Sequence, residues 1–356
     1  MMQKHLKLIL VLFFGLQLLF LSQLKHFPEF VEQFYSNGIY VYCAKAMRYA
    51  FGWAPFSIGD LFYTLASIAI IRWLIKNRKK PFTATKTWLL DIGATLSLMY
   101  FAFHCFWGFN YYRQPLYKSL DLNPTYSTEQ LLAFTERLIQ KSNAIHTQLV
   151  NNDTLKIEMP YTKPEILSKV KDGYQNLSED YPQLNYEPVS IKKSIYSLAL
   201  TYMGFSGYLN PFTNEAQVNG LIPTYKYPTT SCHEAAHQLG FAAENEANFI
   251  GSLAAIHNDD LYFKYSGYTF ALRYCLAEIF KRNPDRYNSL LPTLHPGILK
   301  NYQETQTFWR SYENPIEPIF ESTFDNFLKA NNQSAGMKSY SYVVALLVNY
   351  YENRTL

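Results

Sequence analysis

Between Lys7 and Lys25 runs an uncharged apolar stretch, Leu8 to Leu24, long enough to cross a bilayer as a helix. A hydrocarbon core takes about 20 helical residues, and only a segment that satisfies its own backbone polar groups can stay there. Two further runs follow. Leu61 to Ile71 is short, but with its flanks, Ile58 to Ile75, it reaches crossing length, with Asp60 and Arg72 near its ends. Trp88 to Tyr112 is the longest, interrupted only by Asp91 near its start and by His104. The expectation is a membrane region over residues 1–113 with transmembrane helices at about 8–24, 58–75 and 88–112. A re-entrant or interfacial helix is the competing account of the second run.

Charge sets the expected orientation. Lys4 and Lys7 precede the first run as they would in a secretion signal. Leu21-Ser22-Gln23-Leu24, however, offers no small residues for cleavage, which favours a retained anchor. Lys76, Arg78, Lys79 and Lys80, with Lys86, cluster between the second and third runs. The positive-inside rule puts that loop and the N-terminus in the cytoplasm and everything after Arg113 on the outer face. Trp88 at one end of the third run, and Trp107, Tyr111 and Tyr112 at the other, suit interfacial belts. The expected location is therefore the cytoplasmic membrane, with the lipid bilayer as a partner.

Residues 114–356 contain no run long enough to span and are expected to form one extracytoplasmic domain, mainly α with a small β element. Ser127-Thr128-Glu129-Gln130 reads as a capping box opening a helix to about Val150. Pro164 and Glu165 sit in the first turn of another, from near Thr162 to Leu177. Tyr186 to Asn219 is rich in Gly, Pro, β-branched and aromatic residues and reads as short strands and turns. Helices return after Thr230, including Asp259 to Lys281 and one near Tyr340 to Glu352. A hydrophobic content of 48% argues against disorder, and a net charge of +4 without a basic stripe argues against nucleic-acid binding. Cys43, Cys105, Cys232 and Cys275 are far apart, so neither a Cys-x-x-Cys site nor a disulfide framework is expected.

The chemistry is concentrated in His233-Glu234-Ala235-Ala236-His237. On a helix, residues four apart face one side with Cβ atoms about 6 Å apart, so both imidazoles can reach one zinc ion at about 2.1 Å. Glu234 lies about 100° around the helix, beside the metal, where a base can take a proton from a zinc-bound water. With 8 His in 356 residues, this pattern arises by chance in roughly one such chain in a hundred. The bland alternative is that Ser231 and Glu234 form a capping box with ordinary histidines in the first turn. A third ligand is still required. Glu244 is seven residues past His237, a rise of about 10.5 Å in an unbroken helix, which is too far to share a metal. The chain must turn, and Gly240 is placed to do so with positive φ, leaving Glu244 to open a second helix to about His257. Glu246, about 160° away from Glu244 on that helix, is the alternative third ligand.

The run Glu244-Asn245-Glu246-Ala247-Asn248 resembles the Glu-x-x-Ala-Asp/Asn signature of gluzincin-type peptidases, in which the first Glu is the third ligand. Trp107 to Arg113, Pro211 to Ala216, His233 to Phe249, Tyr265 to Tyr268 and Lys338-Ser339-Tyr340 together resemble a bacterial membrane-protein family classified only as a domain of unknown function. That resemblance implies the three-helix anchor, in the bacterial inner membrane, and a zincin-like metallopeptidase domain. It supplies no substrate.

The expected function is hydrolysis of a peptide or protein substrate, with His233, His237 and Glu244 holding Zn²⁺ and Glu234 as general base. The rival from another class is a non-catalytic protein, braced by zinc, that serves as an envelope sensor or scaffold. Tyr265, Tyr268 and Tyr340 are candidate donors to an oxyanion. Gly207 to Val218 is a candidate strand for an extended substrate, or a structural hairpin. Cys232 is expected to pack, His257 and His295 to be ordinary core or surface residues, Arg113 to anchor at the membrane interface, and Asp60 and Asp91 to sit at that interface, burial with a functional role being the alternative.

Overall fold

The computed structural model describes residues 2–334, 336 and 342–356. Helices dominate the chain, with one small sheet. The first long helices are α1 (Met2–Leu24), α2 (Tyr40–Phe51), α3 (Ile58–Lys76) and α4 (Thr85–Phe106). Of these, α1, α3 and α4 are long and apolar enough to cross a membrane. Side chains such as Leu12, Leu19 and Leu65 lie open on their surfaces, as lipid contact requires. α1 and α4 meet along a seam where Phe13 faces Phe101 at 5.5 Å between ring centroids and the buried Gln17 amide donates to Ser97 Oγ at 3.1 Å. Asp91 is neutralised across this seam by Lys7.

Three sequence expectations change here. The third apolar helix ends at Phe106, and Gly108–Tyr112 form a 3₁₀ turn instead of a last helical turn. Trp107, Tyr111 and Tyr112 are buried in a cluster with Tyr40 and Ala242, so they are core residues and not an interfacial belt. Asp60 is fully buried, accepting hydrogen bonds from Ser194 Oγ at 3.0 Å and Ile195 N at 2.8 Å, with the Tyr208 hydroxyl also donating. It ties the start of α3 to the sheet instead of meeting solvent.

The remainder begins with α5 (Thr128–Leu149) and α6 (Lys163–Asp180), each opened by a capping box, Ser127 with Gln130 and Thr162 with Glu165. The sheet follows within the stretch expected to hold strands: β1 (Ile191–Lys193), β2 (Gly207–Asn210) and β3 (Glu215–Val218). Its order is β1-β3-β2, with β1 parallel to β3 and β2 antiparallel to it, Gly207 facing Val218. Asn214 makes the hairpin turn at φ 51°. Thereafter come α7 (Tyr227–Gln238), α8 (Glu244–His257), α9 (Leu261–Arg282), α10 (Pro296–Arg310), α11 (Glu317–Ala330) and α12 (Val343–Tyr350).

α8 runs through the centre of the core. Ala247, Phe249, Leu253 and Ala254 are buried on its different faces, against Tyr174 and Leu177 of α6, Leu272 of α9 and Leu347 of α12. A helix buried on every side is one enclosed by others. Its approach to α7 is tight enough to need glycine: a Cβ on Gly251 would stand 2.6 Å from His233 N and 2.7 Å from His233 Cα. Gly251→Ala is expected to cost about 1–3 kcal/mol by forcing the two helices apart. A thermal-unfolding midpoint equal to that of the wild type would show that the crossing is looser than this.

Candidate metal centre

Two consecutive helices and the turn between them make the site. α7 starts at Tyr227, with Pro228 in its first turn, several residues before the position anticipated from the sequence. Ser231 and Glu234 are therefore interior to the helix, and the capping-box account of the motif fails. His233 and His237 share one face, their rings 4.7 Å apart and nearly perpendicular, with Nε2 to Nε2 3.1 Å.

α7 then ends in a Schellman turn. Phe241 N bonds back to Ala236 O at 3.2 Å and Gly240 N to His237 O at 2.9 Å, with Gly240 at φ 89°. Side chains from outside the motif take up the terminal carbonyls. Trp107 Nε1 donates to His237 O at 3.2 Å, the Tyr40 hydroxyl to Gln238 O at 3.0 Å, and Arg113 to Gly240 O at 2.8 Å. Arg113 also forks onto Glu32, at 2.7 and 2.6 Å, and lies over the Phe241 ring. It is a brace for this turn, not an interfacial anchor.

The reversal delivers Glu244, the first residue of α8, to the histidines. Its Oε2 is 3.4 Å from His233 Nε2 and its Oε1 3.8 Å from His237 Nε2. Tetrahedral ligands at about 2.1 Å from a shared ion stand about 3.4 Å from one another. The three separations of 3.1, 3.4 and 3.8 Å bracket that value. His237 Nδ1 lies 2.7 Å from Phe241 O. That carbonyl can only accept, so Nδ1 carries the proton and the Nε2 lone pair faces inward. Burial lowers His237 to about 4, keeping it neutral at physiological pH. A neutral imidazole with its Nε2 lone pair inward, a second imidazole and a carboxylate thus converge on one point, which is what a divalent cation requires of its ligands.

Glu246 goes elsewhere. Its carboxylate accepts from Leu116 N at 2.7 Å, beside Arg113, and burial pushes it up to about 7. Glu234 is buried, with a carboxylate oxygen within 4.8 Å of ligand nitrogens on both histidines. Its Oε2 has no hydrogen-bond partner in the protein. Burial raises it to about 8, with His233 opposing and Glu244 adding to the rise. A Cβ on Gly207 would stand 2.5 Å from Glu234 Oε1, so the first residue of the edge strand β2 abuts this carboxylate.

Two of the tyrosines expected to serve the site do not reach it. Tyr265 is fully buried and donates to Asn301 Oδ1 at 2.8 Å. Tyr268 packs under Lys141, 5.7 Å from its ring centroid, on another side of α9. Tyr340 lies outside the described residues. Among the described residues, Tyr111 and Tyr274 feel the Glu244 charge: burial chiefly, then that charge, raise Tyr111 well above the usual range, and burial pushes Tyr274 up to about 12. Nothing in periodicity singles these two out among 30 tyrosines, although Tyr111 belongs to the Trp107 to Arg113 segment. His257 bonds its own helix at Leu253 O, His295 faces His146, and Cys232 packs in the core, so none of the three is a ligand.

The sequence model of a family described as Protein of unknown function (DUF3810) matches residues 35–348. The chain belongs to that family. Its matched span takes in α3, α4, the sheet and both helices of the centre. No curated protein and no solved structure gives a significant match.

Removal of the Glu244 carboxylate separates the two glutamates by experiment. Glu244→Ala is expected to weaken divalent-metal binding by at least about a hundredfold, and Glu246→Ala to leave it unchanged while lowering stability. Competition with a chromophoric chelator measures both, and the reverse ranking would move the third ligand to Glu246.

Proposed function

We propose that the protein is a membrane-anchored zinc metallopeptidase of gluzincin type. Its ligands are His233, His237 and Glu244, and its catalytic domain stands on the outer face of the bacterial inner membrane. The observation that carries this reading is Glu234, a buried carboxylate whose Oε2 has no protein partner, beside a converging His-His-Glu set. A structural metal needs ligands alone. An acid held next to them, at an energetic cost of burial, is what a hydrolase needs in addition.

The bound zinc supplies Lewis-acid polarisation of the scissile carbonyl and makes water a better nucleophile. Glu234 takes the proton from the attacking water and hands it to the departing amine. Burial holds this carboxyl at about 8 in the free chain, and a cation alongside lowers it, so the base is ionised when the site is loaded. β2 is an edge strand, and among the described residues no strand pairs with its outer side. An extended peptide laid there would pass its backbone across Glu234, which abuts Gly207. The hydroxyls of Tyr111 and Tyr274, kept protonated by burial and within the field of the Glu244 carboxylate, are candidate donors to an oxyanion.

The positive-inside distribution of Lys76 to Lys86 supports the outward orientation. Glu234→Gln is expected to retain zinc at the wild-type ratio and to lose at least about a hundredfold in peptide hydrolysis. Hydrolysis at the wild-type rate would remove Glu234 as the base. A wild-type protein that holds zinc and cleaves no member of a broad peptide library favours the sensor or scaffold reading.

A further inference from the structure

One turn before His233 on α7, about 6 Å along the axis, Thr229 lines the wall of a cavity of about 350 Å³. Two further lining residues tie that cavity to the centre. Ser206 precedes Gly207, which abuts Glu234, and Tyr274 stands beside Glu244 and Asn248. The cavity therefore lies beside the centre, one helical turn from the ligand His233.

Its charge is unusual. Lys226, at the N-terminal end of α7, and Arg273, on α9, both line it. Among the described residues neither cation has an ion pair or a side-chain hydrogen bond, whereas Arg113 and Lys192 are each matched by a glutamate. The two cations also repel each other: burial first, then Arg273, lowers Lys226 to about 7. Arg273 is exposed and Lys226 half-buried, so both cations face the open compartment, where an arriving anion meets two unpaired donors. Thr229 and Ser266, joined by a 2.8 Å hydrogen bond at the cavity wall, add hydroxyl groups to the same space.

We propose that this cavity is a carboxylate-binding subsite, in which Lys226 and Arg273 hold the anionic group of the peptide residue adjacent to the scissile bond. The carboxylate is either an acidic side chain or the free C-terminus of a short peptide. This assignment rests on the peptidase reading for its place in the reaction, but the binding it describes does not require turnover.

The test uses the full chain in detergent, zinc-loaded, with Glu234→Gln as the background for binding. Four fluorescent peptides are compared, all of one length and sequence apart from the varied groups. One has an acidic side chain and an amidated terminus, one a neutral side chain and a free terminus, one both groups neutral, and one a lysine. Expected is tighter binding, tenfold or more, of one carboxylate-bearing peptide over the neutral one, and the preferred peptide identifies the source of the carboxylate. Arg273→Gln and Lys226→Gln abolish that preference, whereas Lys226→Arg, which keeps the charge, preserves it. Equal binding of acidic, neutral and lysine peptides, or a preference that survives both glutamine substitutions, overturns the subsite. Turnover in the Glu234-intact enzyme is scored separately: preferential binding without cleavage of any peptide counts against the peptidase, not against the subsite.

Discussion

The site depends on a reversal of the chain at Gly240. Had α7 continued, Glu244 would lie about 10.5 Å beyond His237, and no ion could bridge them. The Schellman turn closes α7, and Gly240 takes a φ of 89° that a side chain would strain. Glu244 then opens α8 within 3.4 Å of His233. Gly251, further along α8, lets the two helix backbones meet next to His233. Two glycines thus hold the carboxylate and the imidazoles together from either side.

That turn is completed by residues far away in the chain. The last carbonyls of a helix have no partner within it, and a buried orphan costs about 1–3 kcal/mol. Here Trp107, Tyr40 and Arg113 supply the donors. Trp107 follows directly on α4, and Tyr40 begins α2, between α1 and α3. Asp60, in the first turn of α3, binds the loop after β1 and Tyr208 of β2 in the same manner. The segments next to the apolar helices consequently supply hydrogen-bond donors to the turn that carries the centre. A protein built this way presents its site close to the level at which those helices end.

Much of this was legible in the sequence because it follows from local rules. The capping boxes at Ser127 and Thr162 gave the starts of α5 and α6, and Gly240 with Glu244 marked the end of one helix and the start of the next. Hydropathy located the apolar helices, though it could not show that Trp107, Tyr111 and Tyr112 leave the helix to enter the core. An apolar aromatic residue reads the same whether lipid or protein surrounds it. The choice between Glu244 and Glu246 needed tertiary structure, since only packing shows that Leu116 N claims Glu246. Tyr265 was misplaced for the same reason: it lies on one helix with Tyr274, and only their partners tell which of the two is near Glu244. The cation pair Lys226 and Arg273 was invisible because its members come from different helices with no motif around them.

X-ray absorption at the zinc K-edge of the purified, metal-replete protein tests the central claim most directly. Convergence of His233, His237 and Glu244 predicts one zinc per chain, with two imidazole nitrogens and oxygen ligands in the first shell at about 2.0–2.2 Å. Loss of the oxygen contribution from protein in Glu244→Ala would follow from the same account. A protein that takes up no zinc, or a first shell without paired imidazoles, would contradict it.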